Sequence, residues 1–198
     1  MISPPADRVR RAAGGWLLAV DPGLIHPAAA AFRCGELAAA SRVRVPRALA
    51  ELDRGERVRQ IAALIHGWWW DVIRPTCPHD LFSPDLVVAE FPQAYSDRSK
   101  SKNSANQLMP LAAMGVAVAS MLGCEIAAPL PAEWIGQVPK NDEAPNEEAW
   151  NSPRGRLIRR RLRDAEIPRV ALSHDSVDAT GIGLWSLGRL ERTYPGAV

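Results

Sequence analysis

Cysteine is scarce. The three residues Cys34, Cys77 and Cys124 are widely separated in a chain of 198. They form no Cys-x-x-Cys pair, so neither a disulfide framework nor a closed zinc site is indicated. Cys77-Pro78-His79 is at most half of a zinc site, and no second half is evident. Three free, mostly buried thiols are expected. Long apolar runs are also missing: nothing approaches the roughly 18 to 20 residues that a membrane span needs. Met1 to Gly15 contains Arg8, Arg10 and Arg11 but not the apolar core of a secretory leader, so a cytoplasmic protein without a membrane partner is expected. Nor does one sign of charge dominate. With 24 Lys and Arg against 22 Asp and Glu, the net charge is +2. That excludes an obligate nucleic-acid coat but leaves room for a local basic surface.

What is present is ordinary globular material, with a hydrophobic fraction of 47% and a charged fraction of 23%. One folded unit is expected over residues 16–198, behind a flexible basic segment at 1–15, with an acidic loop at about 139–153. The chain is organised around Trp16-Leu17-Leu18-Ala19-Val20-Asp21-Pro22-Gly23. An apolar run that meets a carboxylate and a Pro-Gly turn predicts a buried strand with Asp21 at its carboxyl end. Ala28–Phe32 and Leu37–Val45, parted by Arg33-Cys34-Gly35-Glu36, predict a hairpin, completing three antiparallel strands that Pro46 stops. From Ala48 to Ile73 apolar residues recur at threes and fours, which predicts an amphipathic helix. Trp68-Trp69-Trp70 lies on it, and packing is the expected role rather than a stacking platform for bases.

Asp85-Leu86-Val87-Val88-Ala89-Glu90 repeats the opening pattern, an apolar strand closed by an acid and stopped by Pro92. After a crossover helix this strand is expected parallel to the first, which brings Asp21 and Glu90 to one sheet edge. Two acids converging there repel unless they share a proton or bind a cation. A helix is expected over 104–122, with small residues that let it lie close to the sheet, then a short strand at Cys124–Ala128 and a short helix from Pro131. Arg154–Glu166 is expected as a helix with Arg156, Arg159, Arg160 and Arg163 on one arc. Phosphate contact and plain solvation both fit that arc. Ser173 is expected to cap a last helix running to about Leu190, with Asp175 and Asp178 on its first turns and His174 beside them. Gly181, Gly183 and Gly188 imply close neighbours along it.

Asp21, Glu90, Asp175 and Asp178 thus have similar settings. Clustered carboxylates without Cys or several His suit hard cations, Mg²⁺ or Mn²⁺. Two such ions about 4 Å apart activate a water and stabilise the leaving oxygen of a phosphodiester. The element order is that of an α/β ribonuclease H-like fold: a mixed five-stranded sheet, three strands antiparallel and two parallel, flanked by helices.

Val20-Asp21-Pro22-Gly23, Val87-Val88-Ala89-Glu90 and Asp175-Ser176-Val177-Asp178-Ala179 together resemble the RuvC-like Holliday junction resolvases, in chain order and across nearly the whole sequence. The resemblance implies an endonuclease of DNA recombination or repair that cuts branched DNA, such as a four-way junction, as a homodimer. Asp21, Glu90, Asp175 and Asp178 would be the catalytic metal ligands, for Mg²⁺ with Mn²⁺ able to substitute, and His174 an auxiliary group. Phe91 or Tyr95 would probe the junction core. Arg98, Lys100, Lys102, Lys140, Arg156, Arg159, Arg160 and Arg163 would contact nucleic acid. Two other readings stay open, an RNA-processing nuclease of the same fold and a catalytically silent nucleic-acid-binding module.

Overall fold

A computed structural model describes residues 14–75, 83–92, 105–134, 149, 151–162 and 173–190. The basic segment at 1–13, Cys77 and His79, the basic loop around Arg98, and most of the expected acidic loop lie outside these residues.

Leu17 to Val20 of strand β1 (Trp16–Asp21) are fully buried. Leu17 and Ala19 enter one core cluster, Leu18 and Val20 another, so the strand lies between two helical layers. Strand β2 (Ala28–Arg33) pairs antiparallel with β1, and β3 (Glu36–Arg42) pairs antiparallel with β2. The β2–β3 link is a two-residue turn in which Cys34 has φ 49° and Gly35 φ 77°. Two positive φ values match the twist of the flanking strands, as in a type I′ hairpin. This overturns the expectation of a buried thiol at Cys34, which is exposed on that turn. Cys124 is half-buried, and burial pushes its thiol up to about 11.

The long helix starts later than the sequence period suggested. Arg47–Glu51 forms a 3₁₀ turn and Leu52 is extended, after which α1 covers Arg54–Ile73. Asp53 sets that start by accepting the Glu56 amide at 3.1 Å. Trp69 is fully buried and meets Trp16 edge-on at 5.5 Å, whereas Trp68 donates to Ser41 Oγ and Trp70 to His66. The tryptophan run is therefore packing.

Strand β4 (Leu86–Ala89) lies parallel to β1, and β5 (Glu125–Ala127) parallel to β4, giving the sheet order β3-β2-β1-β4-β5. Asp85 pins the start of β4, accepting the Trp16 amide at 2.7 Å and returning its own amide to the Trp16 carbonyl. Helix α2 (Ala105–Leu122) packs against α1 and the sheet. At Gly115 an added Cβ would come within 2.5 Å of the Ala89 Cβ, so the small residues do bring this helix onto β4.

Three further helices complete the described chain: α3 (Pro131–Trp134), α4 (Pro153–Arg159) and α5 (His174–Ser186). Helix α4 ends well before the expected Glu166. The Arg161 and Leu162 amides turn back to the Ile158 and Arg159 carbonyls, and Arg189 takes the Arg161 carbonyl at 2.6 Å. That tertiary bond satisfies a group which a longer helix would have used. Helix α5 lies across the sheet face opposite α1 and α2. Added Cβ atoms would come within 2.1 Å of Phe32 at Gly183 and 2.5 Å of Trp134 at Gly181, so the close neighbours implied by those glycines are present. Among the described residues no helix is long and apolar enough to cross a membrane.

Candidate active site

The acids are placed by register. Val20 pairs with Ala89, and the Glu90 amide donates to the Val20 carbonyl at 3.2 Å, so Asp21 and Glu90 close adjacent parallel strands. Leu17, Ala19, Leu86 and Val88 all face the cluster that contains α5. By the two-residue period of a strand, Asp21 and Glu90 continue that row on the same face. Both are half-buried.

The same row crosses the antiparallel half of the sheet. Asp21 pairs with Ala28, and Ala28 pairs with Arg42. Arg42 binds Asp175, with Nε 3.1 Å and Nη2 2.9 Å from Oδ2. The first turn of α5 therefore sits over the sheet edge that Asp21 closes. At the other end of the helix Gly183 meets Phe32, which pairs with Leu17 at the start of β1. Ser173 caps α5 as expected, its Oγ accepting the Ser176 amide at 3.2 Å. His174 opens the helix, half-buried.

Asp178 and Glu90 are joined through two residues that the sequence reading did not single out. Arg154 Nη1 donates to both Asp178 oxygens, at 3.0 and 2.9 Å. Its guanidinium lies 5.7 Å from the centre of the Trp134 ring, and Trp134 Nε1 donates to Glu90 Oε2 at 2.7 Å. Trp134 is only 3% exposed and fits because Gly181 leaves room for its ring. A chain of contacts thus runs from the sheet edge at Glu90, through Trp134 and Arg154, to Asp178 on α5.

Four carboxylates of hard, anionic oxygen chemistry are arranged about one edge, a donor set that suits Mg²⁺ or Mn²⁺. Among the described residues, no three His, Cys, Asp or Glu side chains are gathered tightly enough to hold an ion by themselves. Asp175 and Asp178 instead carry arginines, and those guanidinium groups stand in for the positive charge that such a cluster requires.

Around this centre, Phe91 follows Glu90 directly and is 44% exposed. Its amide bonds the Pro129 carbonyl, which fixes the backbone beneath it. Arg156, Arg159 and Arg160 are exposed on α4 while Ile158 is buried, so the expected arc is a surface. Tyr95, Arg98, Lys100, Lys102, Lys140 and Arg163 lie outside the described residues.

No family model and no curated protein matches the sequence. Solved structures do match. RuvC of Thermus thermophilus, in complex with a Holliday junction substrate, superposes with a TM-score of 0.50 at 19% identity, over 86% of this chain and 92% of that one. A second Thermus thermophilus RuvC structure gives 0.47 at 18% identity over the same shares. The yeast mitochondrial Holliday junction resolvase Ydc2 gives 0.48 at 13% identity, over 92% of this chain and 85% of that one. The protein has the fold of RuvC, a ribonuclease H-like mixed α/β sheet.

Proposed function

We propose that the protein is a divalent-metal-dependent endonuclease that cuts branched DNA, four-way junctions among its substrates. The observation that carries this reading is the row of side chains at one edge. Asp21 and Glu90 end neighbouring parallel strands, and Asp175 and Asp178 lie on the helix docked over them. Packing alone gives no reason to collect four acids there. A bound Mg²⁺, or Mn²⁺ in its place, supplies an activated water and charge neutralisation at the leaving oxygen of a phosphodiester.

The protein's own groups divide the remaining work. Asp21 and Glu90 are held by a sheet whose register Asp85 pins, so their oxygens approach a phosphate in fixed geometry. Asp175 and Asp178 stand on the first turns of α5, the end of the helix that lies over the same edge. Arg156, Arg159 and Arg160 offer a basic surface to the phosphate backbone, contacts that position a duplex without reading its sequence. Exposed beside Glu90, Phe91 is suited to stack on bases unpaired at a branch point. A branched substrate is supported by the RuvC structure that holds a Holliday junction.

The test compares end-labelled four-way junction, linear duplex and structured RNA in Mg²⁺ and in EDTA. Cutting of the junction in Mg²⁺ alone is the expected result. Cutting in EDTA would sink the metal-dependent reading, and preference for RNA would replace it with an RNA-processing nuclease. The arginine partners of Asp175 and Asp178 favour one competing reading, a catalytically silent nucleic-acid-binding module. Junction binding without cleavage in either Mg²⁺ or Mn²⁺ would establish that alternative.

We also infer that the active form is a homodimer built on α2. This helix carries no charged residue, and Met109, Ala113, Val116 and Ser120 are exposed on it within an arc of about 60°. Val116→Glu is expected to halve the mass measured by light scattering on an eluting peak. A monomeric wild type at micromolar concentration would remove this inference.

A further inference from the structure

Arg154 is unlike the other arginines of its segment. Its side chain is 14% exposed and that of Asp178 only 7%, so the pair is nearly removed from water. Charges removed from water in this way are costly to bury unless they are paired. Both hydrogen bonds come from a single nitrogen, Nη1, which straddles the two Asp178 oxygens. A metal ion held by both oxygens needs the same region of space, and two cations there would repel. To admit the ion, Nη1 must move away from the two oxygens it now straddles. The Trp134 ring that backs the guanidinium also holds Glu90, which ties Arg154 to the acids on both sides of the centre. The Arg42–Asp175 pair is different: Arg42 is 32% exposed, and water screens that contact.

From this geometry we infer that Arg154 is the internal counter-ion of the acid cluster and competes with the divalent metal for Asp178. It is a positioning residue. In the metal-free protein it holds Asp178 against the Trp134–Glu90 arm, and it withdraws when the metal binds. The inference rests on the reading of the cluster as a metal site. A purely structural Arg154 has the opposite signature, because its loss would misplace Asp178 and weaken metal binding.

Calorimetric titration of Mn²⁺ into the full-length wild type, Arg154→Gln and Asp21→Asn separates these cases, with thermal unfolding in EDTA as a second readout. Arg154→Gln is expected to bind Mn²⁺ about tenfold tighter than wild type, since a competing charge has been removed. It is also expected to unfold at lower temperature in EDTA and to gain more from added Mn²⁺. Affinity equal to or weaker than wild type would overturn the proposal. Should Arg154→Gln fail to fold, Arg154→Met takes its place: it removes the same charge while keeping an unbranched side chain beside Trp134, so its affinity must also rise, and an unchanged or lower value overturns the proposal. Wild-type binding that Asp21→Asn abolishes keeps the metal reading intact whatever Arg154 does. Absence of Mn²⁺ binding in every protein overturns both.

Discussion

Asp21→Asn is expected to lower junction cleavage in Mg²⁺ by at least about a thousandfold, beyond what loss of one fixed hydrogen-bond donor costs an active site. Junction binding, to be measured in Ca²⁺ by mobility shift, is expected to stay within about threefold of wild type, because phosphate contacts to basic groups generally supply most of the affinity for nucleic acid. The substitution is nearly isosteric, so the strand end and its Pro22-Gly23 turn are kept. What changes is one negative charge and one hard oxygen donor. Stability is expected to stay within about 1 kcal/mol of wild type, since no core group is removed and repulsion from neighbouring Glu90 is relieved. Unchanged cleavage would remove Asp21 from the centre, and with it the argument from the sheet row. Loss of binding and cleavage together, with a fall in melting temperature, would mark Asp21 as structural.

The sheet and the two strand-end acids were legible because they obey short-range rules. An apolar run closed by an acid and a Pro turn reads as a buried strand wherever it stands, and the crossover through α1 fixes Asp21 and Glu90 at one edge. Helix ends were less legible, for two separate reasons. At Asp53 a side-chain cap moved the start of α1 past residues whose apolar spacing continues the helical period. At Arg161 a bond from Arg189, distant in sequence, ended α4 early. The counter-ions were the least visible part. Arg42 reaches Asp175 only because β3 returns antiparallel beside β2, which no local pattern encodes. For Arg154 a signal existed. At about 100° per residue it falls between Leu157 and Ile158 on the apolar side of α4, opposite the arc of Arg156, Arg159 and Arg160. An arginine on a buried face must find an acid, and Asp178 was available to provide one. Gly181 gave the matching signal on α5, because a glycine in the middle of a helix marks a large neighbour, here Trp134.

Trp134 joins the packing to the chemistry, and two substitutions divide its contributions. Trp134→Ala removes a nearly fully buried ring from between α5 and the sheet edge, at an expected cost of about 3 to 5 kcal/mol. That is a large part of the stability of an ordinary domain, so a fall in melting temperature of about 5 to 15 °C is expected. Trp134→Phe keeps an aromatic ring at this buried position, gives up part of the contact that the outer indole ring makes at Gly181, and deletes the N–H that Glu90 accepts at 2.7 Å. A hydrogen bond to a charged group contributes about 1.5 to 3 kcal/mol, so the Phe variant is expected to fold with a smaller loss than the Ala variant. Its cleavage rate should fall more than its stability does, because Glu90 loses the donor that orients it. Denaturant titration and single-turnover cleavage on the same preparations give both numbers. If Trp134→Phe cuts junctions at the wild-type rate, the indole N–H does not orient Glu90 for catalysis and Trp134 is packing alone. If the Ala variant is as stable as the Phe variant, the ring does not fill the space that Gly181 leaves, and the close approach of α3 to α5 has no role in holding the centre together.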